Sequence, residues 1–280
     1  MNGIAIVTDS TADLGTLAAG YGIEVVPLTI AFGAEQYRDG IDLSMDEFYA
    51  KLQRDPRPPV TAQPPPAAFA EVYRRLLARG ASGIVSLHLS SALSGTYNSA
   101  VVAAREVDAE RIAVVDTRSV SLGLGLVAIG AAENARRGLD LQAVVEQART
   151  EAAKVELYAT IPSLTYLARG GRIGQLRSIV GNVLKIVPII TLREGAVAEY
   201  GKVRTFPRAV DQVVDITIGK IRSKGTARCA VLHAAAADLA NSVAQRIRDA
   251  VQPTLMIVNS VGPTVGTHAG PGAVGAIFIQ

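Results

Sequence analysis

The chain of 280 residues holds one cysteine, no tryptophan and only 5% aromatic residues. A lone Cys229, set in the apolar run 227–232, cannot form an internal disulfide and rules out a cysteine-based zinc site. It reads as a small buried residue in a reducing compartment. So few aromatics leave little surface for stacking on nucleic bases. The 28 basic and 25 acidic residues give a net charge of +3 with no run of five like charges, so no basic patch for nucleic acid is expected. No apolar run reaches the roughly 18 residues of a membrane span. The stretch Met1 to Val7 is too short, and too soon followed by Asp9 and Asp13, to act as a signal peptide. These absences predict a soluble cytoplasmic protein without integral membrane association.

What is present is aliphatic: AVILMFWYC residues make up 49% and charged residues 19%, the balance of a well-packed α/β protein. The length suits two domains of roughly 100–150 residues. Short branched apolar runs alternate with amphipathic helical ones, as in strand Gly3 to Val7, helix 67–79, strand 83–87, helix 96–106 and strand 111–115. Repeated strand-then-helix order predicts a mostly parallel sheet with helices on both faces and a ligand outside the carboxyl ends of its strands. Residues 23–32 read as one strand with a hairpin through Gly33, and Ser44 opens a capped helix. Residues 55–66 carry six prolines in twelve, which excludes a helix or central strand and stiffens the segment holding Thr61 and Gln63. After helix 141–153 a boundary is expected near residue 155. Domain 1–155 then precedes a second α/β domain, 156–280, with strands at 155–160, 183–192, 196–200, 227–232 and 254–258. The tail 261–272 reads as a glycine-rich loop around His268.

Two strand-to-helix junctions concentrate hydroxyl groups: Thr8-Asp9-Ser10-Thr11 and Ser90-Ser91-Ala92-Leu93-Ser94-Gly95-Thr96. At such a helix start the first amides lack intrahelical partners and the dipole is positive, so an anion can be held without a full positive charge. The same residues also suit a plain N-cap. His268 on its glycine scaffold reads as a ligand-binding side chain, whereas His88 and His233 end apolar strands and read as structural. Ser94 or Ser91 with His268 and a carboxylate such as Asp9 or Asp116 would compose a serine-hydrolase triad, but no Gly-x-Ser-x-Gly elbow is present. Gly123-Leu124-Gly125 resembles a dinucleotide fingerprint, yet it lies seven residues past Asp116, which favours helix-packing glycines. No P-loop occurs, and the scattered carboxylates predict no metal site and no cofactor.

Taken together, Thr8-Asp9-Ser10-Thr11, Val60-Thr61-Ala62-Gln63-Pro64, Leu89 to Ala100, Asp116-Thr117 with Ser121-Leu122-Gly123, Gly170-Gly171-Arg172-Ile173, Lys202-Val203-Arg204 and His268-Ala269-Gly270-Pro271-Gly272 resemble the DegV family of fatty-acid-binding proteins. The resemblance spans essentially the whole chain. It implies a two-domain DegV-like fold with a long-chain fatty acid buried between the domains, presented to a separate fatty-acid kinase that makes an acyl phosphate. The protein itself would then be a carrier without catalytic residues. On this sequence the implied carboxylate binders are Thr61, Ser94 with the amides near Gly95 and Thr96, and His268, with Asp9, Ser10, Ser91 and Asp116 behind them. Arg172 and Arg204 match the family's basic positions that meet the kinase. Ala62 stands where the family usually has serine, and Val187 where it usually has lysine. The alternative function is a serine esterase or lipid hydrolase built on Ser94 and His268.

Overall fold

The computed structural model describes residues 3–55, 57–174, 176, 186–225 and 227–280. Strand β1 (Ile4–Asp9) runs into a 3-10 turn at Ser10–Ala12 and helix α1 (Leu17–Gly20). Strands β2 (Ile23–Val26), β3 (Thr29–Phe32) and β4 (Glu35–Arg38), helix α2 (Met45–Arg54), strand β5 (Val60–Ala62) and helix α3 (Pro66–Ala78) follow. Then come β6 (Gly83–His88), α4 (Thr96–Val107), β7 (Ile112–Asp116), α5 (Leu122–Arg136) and α6 (Leu141–Ala152). The second half comprises β8 (Glu156–Thr160), α7 (Thr165–Arg169), β9 (Val187–Arg193), β10 (Ala196–Val203) and α8 (Phe206–Lys224). It continues with β11 (Arg228–His233), α9 (Ala237–Val251), β12 (Leu255–Ser260), α10 (Pro263–Ala269) and β13 (Val274–Ile279). Part of the strand expected over 183–192, residues 183–185, lies outside the described residues.

The first sheet, ordered β2-β1-β6-β7, is parallel throughout, as the strand-helix alternation predicts. Its faces follow the two-residue period of a strand. Ala5 and Val7 pack with Phe69 and Tyr73 of α3 and Ala100 of α4. Ile6, Val85 and Leu87 turn the other way, into the cluster that includes α5. Helix α5 is buried from Leu122 through Ala132, and it touches β1 on one side and β11 and β13 on the other. A helix pressed between two sheets has no wet face, which explains its apolar composition all round. Gly123 and Gly125 are therefore packing glycines: a Cβ on Gly125 would lie 2.7 Å from the Ala12 carbonyl oxygen.

The second sheet, ordered β10-β9-β8-β13-β11-β12, is mixed, with β11 and β12 parallel and the remaining pairs antiparallel. A small antiparallel sheet, β4-β3-β5, completes the framework. Three sequence expectations change. Residues 23–32 form two strands, because Pro27 lacks an N–H and the Leu28 amide bonds the Ser10 hydroxyl at 3.0 Å, which sends the chain from the first sheet into the small one. The loop expected at 261–272 contains α10, with Gly262 as N-cap, Pro263 in the first turn and Gly270 (φ 74°) ending it. Strand β13, which the sequence reading left out, sits inside the second sheet between β8 and β11.

Candidate functional site

Strand β5 is an edge strand, the position that its proline-rich flanks allow. It brings Thr61 Oγ1 to 3.1 Å from Nε2 of His268 on α10, across 207 residues of chain. Ser94 lies in the loop leading into α4: its Oγ accepts the Thr96 amide at 3.3 Å and lies 2.9 Å from Thr96 Oγ1. Gln63, two residues past Thr61, lies against Gly95 and donates to Ser99 Oγ at 3.3 Å. A Cβ on Gly95 would come within 2.7 Å of the Gln63 amide nitrogen, so any larger residue there would displace the Gln63 side chain. Arg172 completes the ring, donating from Nε to the Leu93 carbonyl at 3.2 Å and from a terminal nitrogen to the Gly170 carbonyl at 2.8 Å.

Thr61, Gln63, Ser94, Arg172 and His268 all line one cavity of about 400 Å³. Most of its other walls are aliphatic, among them Leu157 and Ala159 of β8, Ile190 and Leu192 of β9, Val197 of β10 and Leu232 of β11. Strand alternation separates these from Tyr158, Ile189 and Val231, which point to the opposite face of the second sheet and pack with α8 and α9. The cavity thus lies on the face of the second sheet turned toward the first.

His268 is held neutral at physiological pH. Burial pushes its pKa down to about 4, with a further contribution from the Arg172 cation. Among the described residues its Nδ1 is buried without a hydrogen-bond partner, and the ring leaves no room for a side chain at Gly170, where a Cβ would lie 2.6 Å from His268 Cε1. This geometry lacks the parts of a hydrolase. Nε2 of His268 faces Thr61 rather than Ser94, and no carboxylate reaches Nδ1. A Ser-His-Asp series does occur elsewhere: Ser86 Oγ lies 2.8 Å from His88 Nε2, and His88 Nδ1 lies 2.9 Å from Asp9 Oδ2. All three residues are 0% exposed, and the Tyr73 hydroxyl donates to Ser86 at 2.8 Å, so this series is closed to any substrate.

The remaining candidates divide. Gly95 caps α4, and Thr96 is buried behind Ser94; neither forms cavity wall. Asp9 accepts the Thr11 and Leu89 amides, each at 3.1 Å, besides facing His88. Ser10 donates to Asp39 at 2.9 Å. Asp9 and Ser10 border a second cavity of about 440 Å³. Ser91 donates to Asp116 at 2.6 Å in an exposed pair outside both cavities. Arg204 is exposed just beyond β10, while Arg172 reaches the cavity rim itself. Among the described residues, no group of three or more His, Cys, Asp or Glu side chains could hold a metal ion, and no helix is long and apolar enough to cross a membrane. The sequence reading named Ser121 within a family motif without giving it a site role, and it did not identify the aliphatic wall residues; Ser121 is a wall residue at φ 55°. Alternation shows which strand residues share a face, not which face a cavity will occupy.

The chain matches, over residues 3–280, the family model described as an uncharacterised protein of the DegV family. A DegV domain-containing protein of Streptomyces coelicolor is 41% identical over 277 residues, covering 98% of this chain and 97% of that one. Among solved structures, a Thermus thermophilus DegV family protein described by its fatty acid binding superposes with a TM-score of 0.93 at 32% identity, covering 99% of each chain. Bacillus subtilis DegV, described as a fatty acid binding protein, superposes with a TM-score of 0.90 at 28% identity, covering 100% of this chain and 99% of its own. A match along the full sequence and a superposition along the full fold agree, and the chain belongs to the DegV family.

Proposed function

We propose that this protein binds a long-chain fatty acid, tail first, in the aliphatic cavity, with the carboxylate held by Thr61, Ser94 and His268 where residues 1–155 meet 156–280. The observation that carries the reading is the Thr61–His268 contact, set in the wall of a cavity whose other walls are mostly aliphatic. Each buried methylene contributes about 0.8 kcal/mol, so about ten of them supply roughly 8 kcal/mol before ordering costs. A carboxylate buried beside them without hydrogen bonds would forfeit much of that gain. The donors at the rim offset its desolvation. With His268 neutral and its proton on Nε2, Nε2–H donates to Thr61 Oγ1 and leaves the Thr61 proton free for the carboxylate, so His268 acts on the head group through Thr61. The guanidinium of Arg172 supplies the balancing charge.

The protein has no catalytic role of its own in this reading. It works in the cytoplasm, where Cys229 stays reduced, and a separate fatty-acid kinase phosphorylates the exposed carboxylate. Arg204 and the outer edge of Arg172 are exposed cations available for that encounter. The decisive experiment is solvent extraction of the purified protein followed by mass spectrometry, then titration of the delipidated protein with palmitate and with cetyl alcohol. Stoichiometric palmitate with much weaker alcohol binding is expected; a protein that carries no fatty acid and takes up none contradicts the proposal. Arg204→Ala is expected to keep palmitate affinity while lowering acyl-phosphate production with the kinase.

A further inference from the structure

Helix α10 carries His268, but its first turn is fastened to the other half of the molecule. Its N-cap residue, Gly262, donates its amide to Asp13 Oδ1 at 2.7 Å. The carbonyl of Asp13 accepts Nδ2 of Asn259 at 2.7 Å, and the Tyr49 hydroxyl donates to the Val261 carbonyl at 3.1 Å. The other carboxylate oxygen of Asp13 accepts the Ser121 hydroxyl. Ser121 lines the aliphatic cavity, whereas Asp13 and Gly262 line the second one, so this set of bonds forms the partition between the two.

Both members of the pair hold an unusual backbone. Asp13 has φ 51° and Ser121 has φ 55°, the left-handed region that side chains with a Cβ rarely adopt. Such conformations persist where the surroundings over-determine them, and they gather at functional sites. The packing is also tight. A Cβ on Gly262 would lie 2.9 Å from Asp13 Oδ1 and 3.2 Å from Asp39 Oδ1, so the start of α10 is wedged between two carboxylates. Burial, together with the like charges of Asp39 and Asp9, opposes ionisation of Asp13; Tyr49 is the other titratable group facing it. An acid kept at such a place contributes geometry more than stability.

We infer that Asp13 is a positioning residue for the head-group site: its carboxylate ties the start of α10 to Ser121 and thereby sets where His268 meets Thr61. The inference rests on the fatty-acid reading for what the site binds, but its geometry needs no ligand. Asp13 itself touches no ligand.

The test is a histidine NMR titration of delipidated full-length protein, with His268 assigned through His268→Gln. In the wild type, His268 is expected to titrate near 4. Asp13→Ala frees the helix start and moves that titration up toward the ordinary 6.5. Asp13→Asn keeps an acceptor for Gly262 and stays near the wild type. Gly262→Ala leaves Asp13 in place but pushes the wedge apart, at φ −66° and ψ 168° that any residue adopts. It is expected to reproduce the Asp13→Ala shift. Folded Asp13→Ala or Gly262→Ala protein whose His268 still titrates near 4 overturns the inference, and Gly262→Ala alone decides should Asp13→Ala fail to fold. Palmitate uptake by the wild type is read separately. Uptake absent with the titration pattern intact sinks the lipid reading and upholds the positioning role.

Discussion

Two cavities of nearly equal volume, about 400 and 440 Å³, lie on either side of the Asp13–Ser121 bond, and their ionisable groups are opposite in kind. The first offers hydroxyls, an imidazole held neutral by burial, and an arginine at its rim. The second adds to its hydroxyls and Asn259 three acids that the first lacks, Asp9, Asp13 and Asp39. Burial shifts groups on both sides toward their uncharged forms, driving His268 down to about 4 and raising Asp13 and Asp39. Volume therefore does not define the site. An anionic head group fits the first cavity because its donors carry no competing negative charge, whereas the second surrounds its hydroxyls with three buried acids.

The sharpest way to break this contrast is to fill one cavity at a time. Ala159→Phe projects a ring into the aliphatic cavity and is expected to weaken palmitate binding by at least 100-fold in calorimetry. Val25→Phe, at the second cavity, is expected to leave binding within twofold. Removing rim donors comes next. Thr61→Val and Ser94→Ala each remove a hydrogen bond to a charged group, worth about 1.5–3 kcal/mol, so affinity is expected to fall by roughly 10- to 150-fold. The same changes should matter little for cetyl alcohol.

Acid titration separates the two regions by sign. The folded pKa of His268, about 4, lies below its ordinary 6.5, so stability is lost as pH falls from 6.5 to 4, by about 3 kcal/mol in all, and levels off below. Asp13 and Asp39 are raised, so their contribution is present in acid and is lost as pH rises. Urea midpoints across this range are expected to show a flatter acid limb in His268→Gln and a higher plateau near pH 8 in Asp13→Asn. Arg204→Ala, the smallest effect, is expected to leave both midpoints and palmitate affinity unchanged, since the side chain is exposed and lines neither cavity.

The regular parts of this fold are written locally. Residues 83–88 alternate little and are branched, as a strand buried on both faces must be, and the Ser94-Gly95-Thr96 junction announces α4. The same holds for Ser44, whose capping box with Glu47 forms as its spacing requires. What stayed hidden depends on distant contacts. Glycines at 262, 266, 270 and 272 make the His268 segment read as loop, yet Gly266 sits inside α10, where a Cβ would lie 2.7 Å from the Tyr49 hydroxyl. Helix α2 selects that glycine, not local propensity. Likewise Arg172 reads as a surface residue, and only the fold sets it beside His268. Thr61, Ser94 and His268, distant in the sequence, line one cavity, whereas of the second cavity's acids only Asp9 stood out in the sequence, and Asp39 carried no local signal.

Carbon-13 NMR of [1-13C]palmitate added to delipidated protein tests the central claim most directly, because it reports the charge and surroundings of the head group itself. One bound carboxyl signal is expected, ionised and insensitive to pH between about 8 and 5, and displaced in Thr61→Val. A signal that titrates as it does in water, or no bound signal at all, would contradict a carboxylate held by Thr61, Ser94 and a neutral His268.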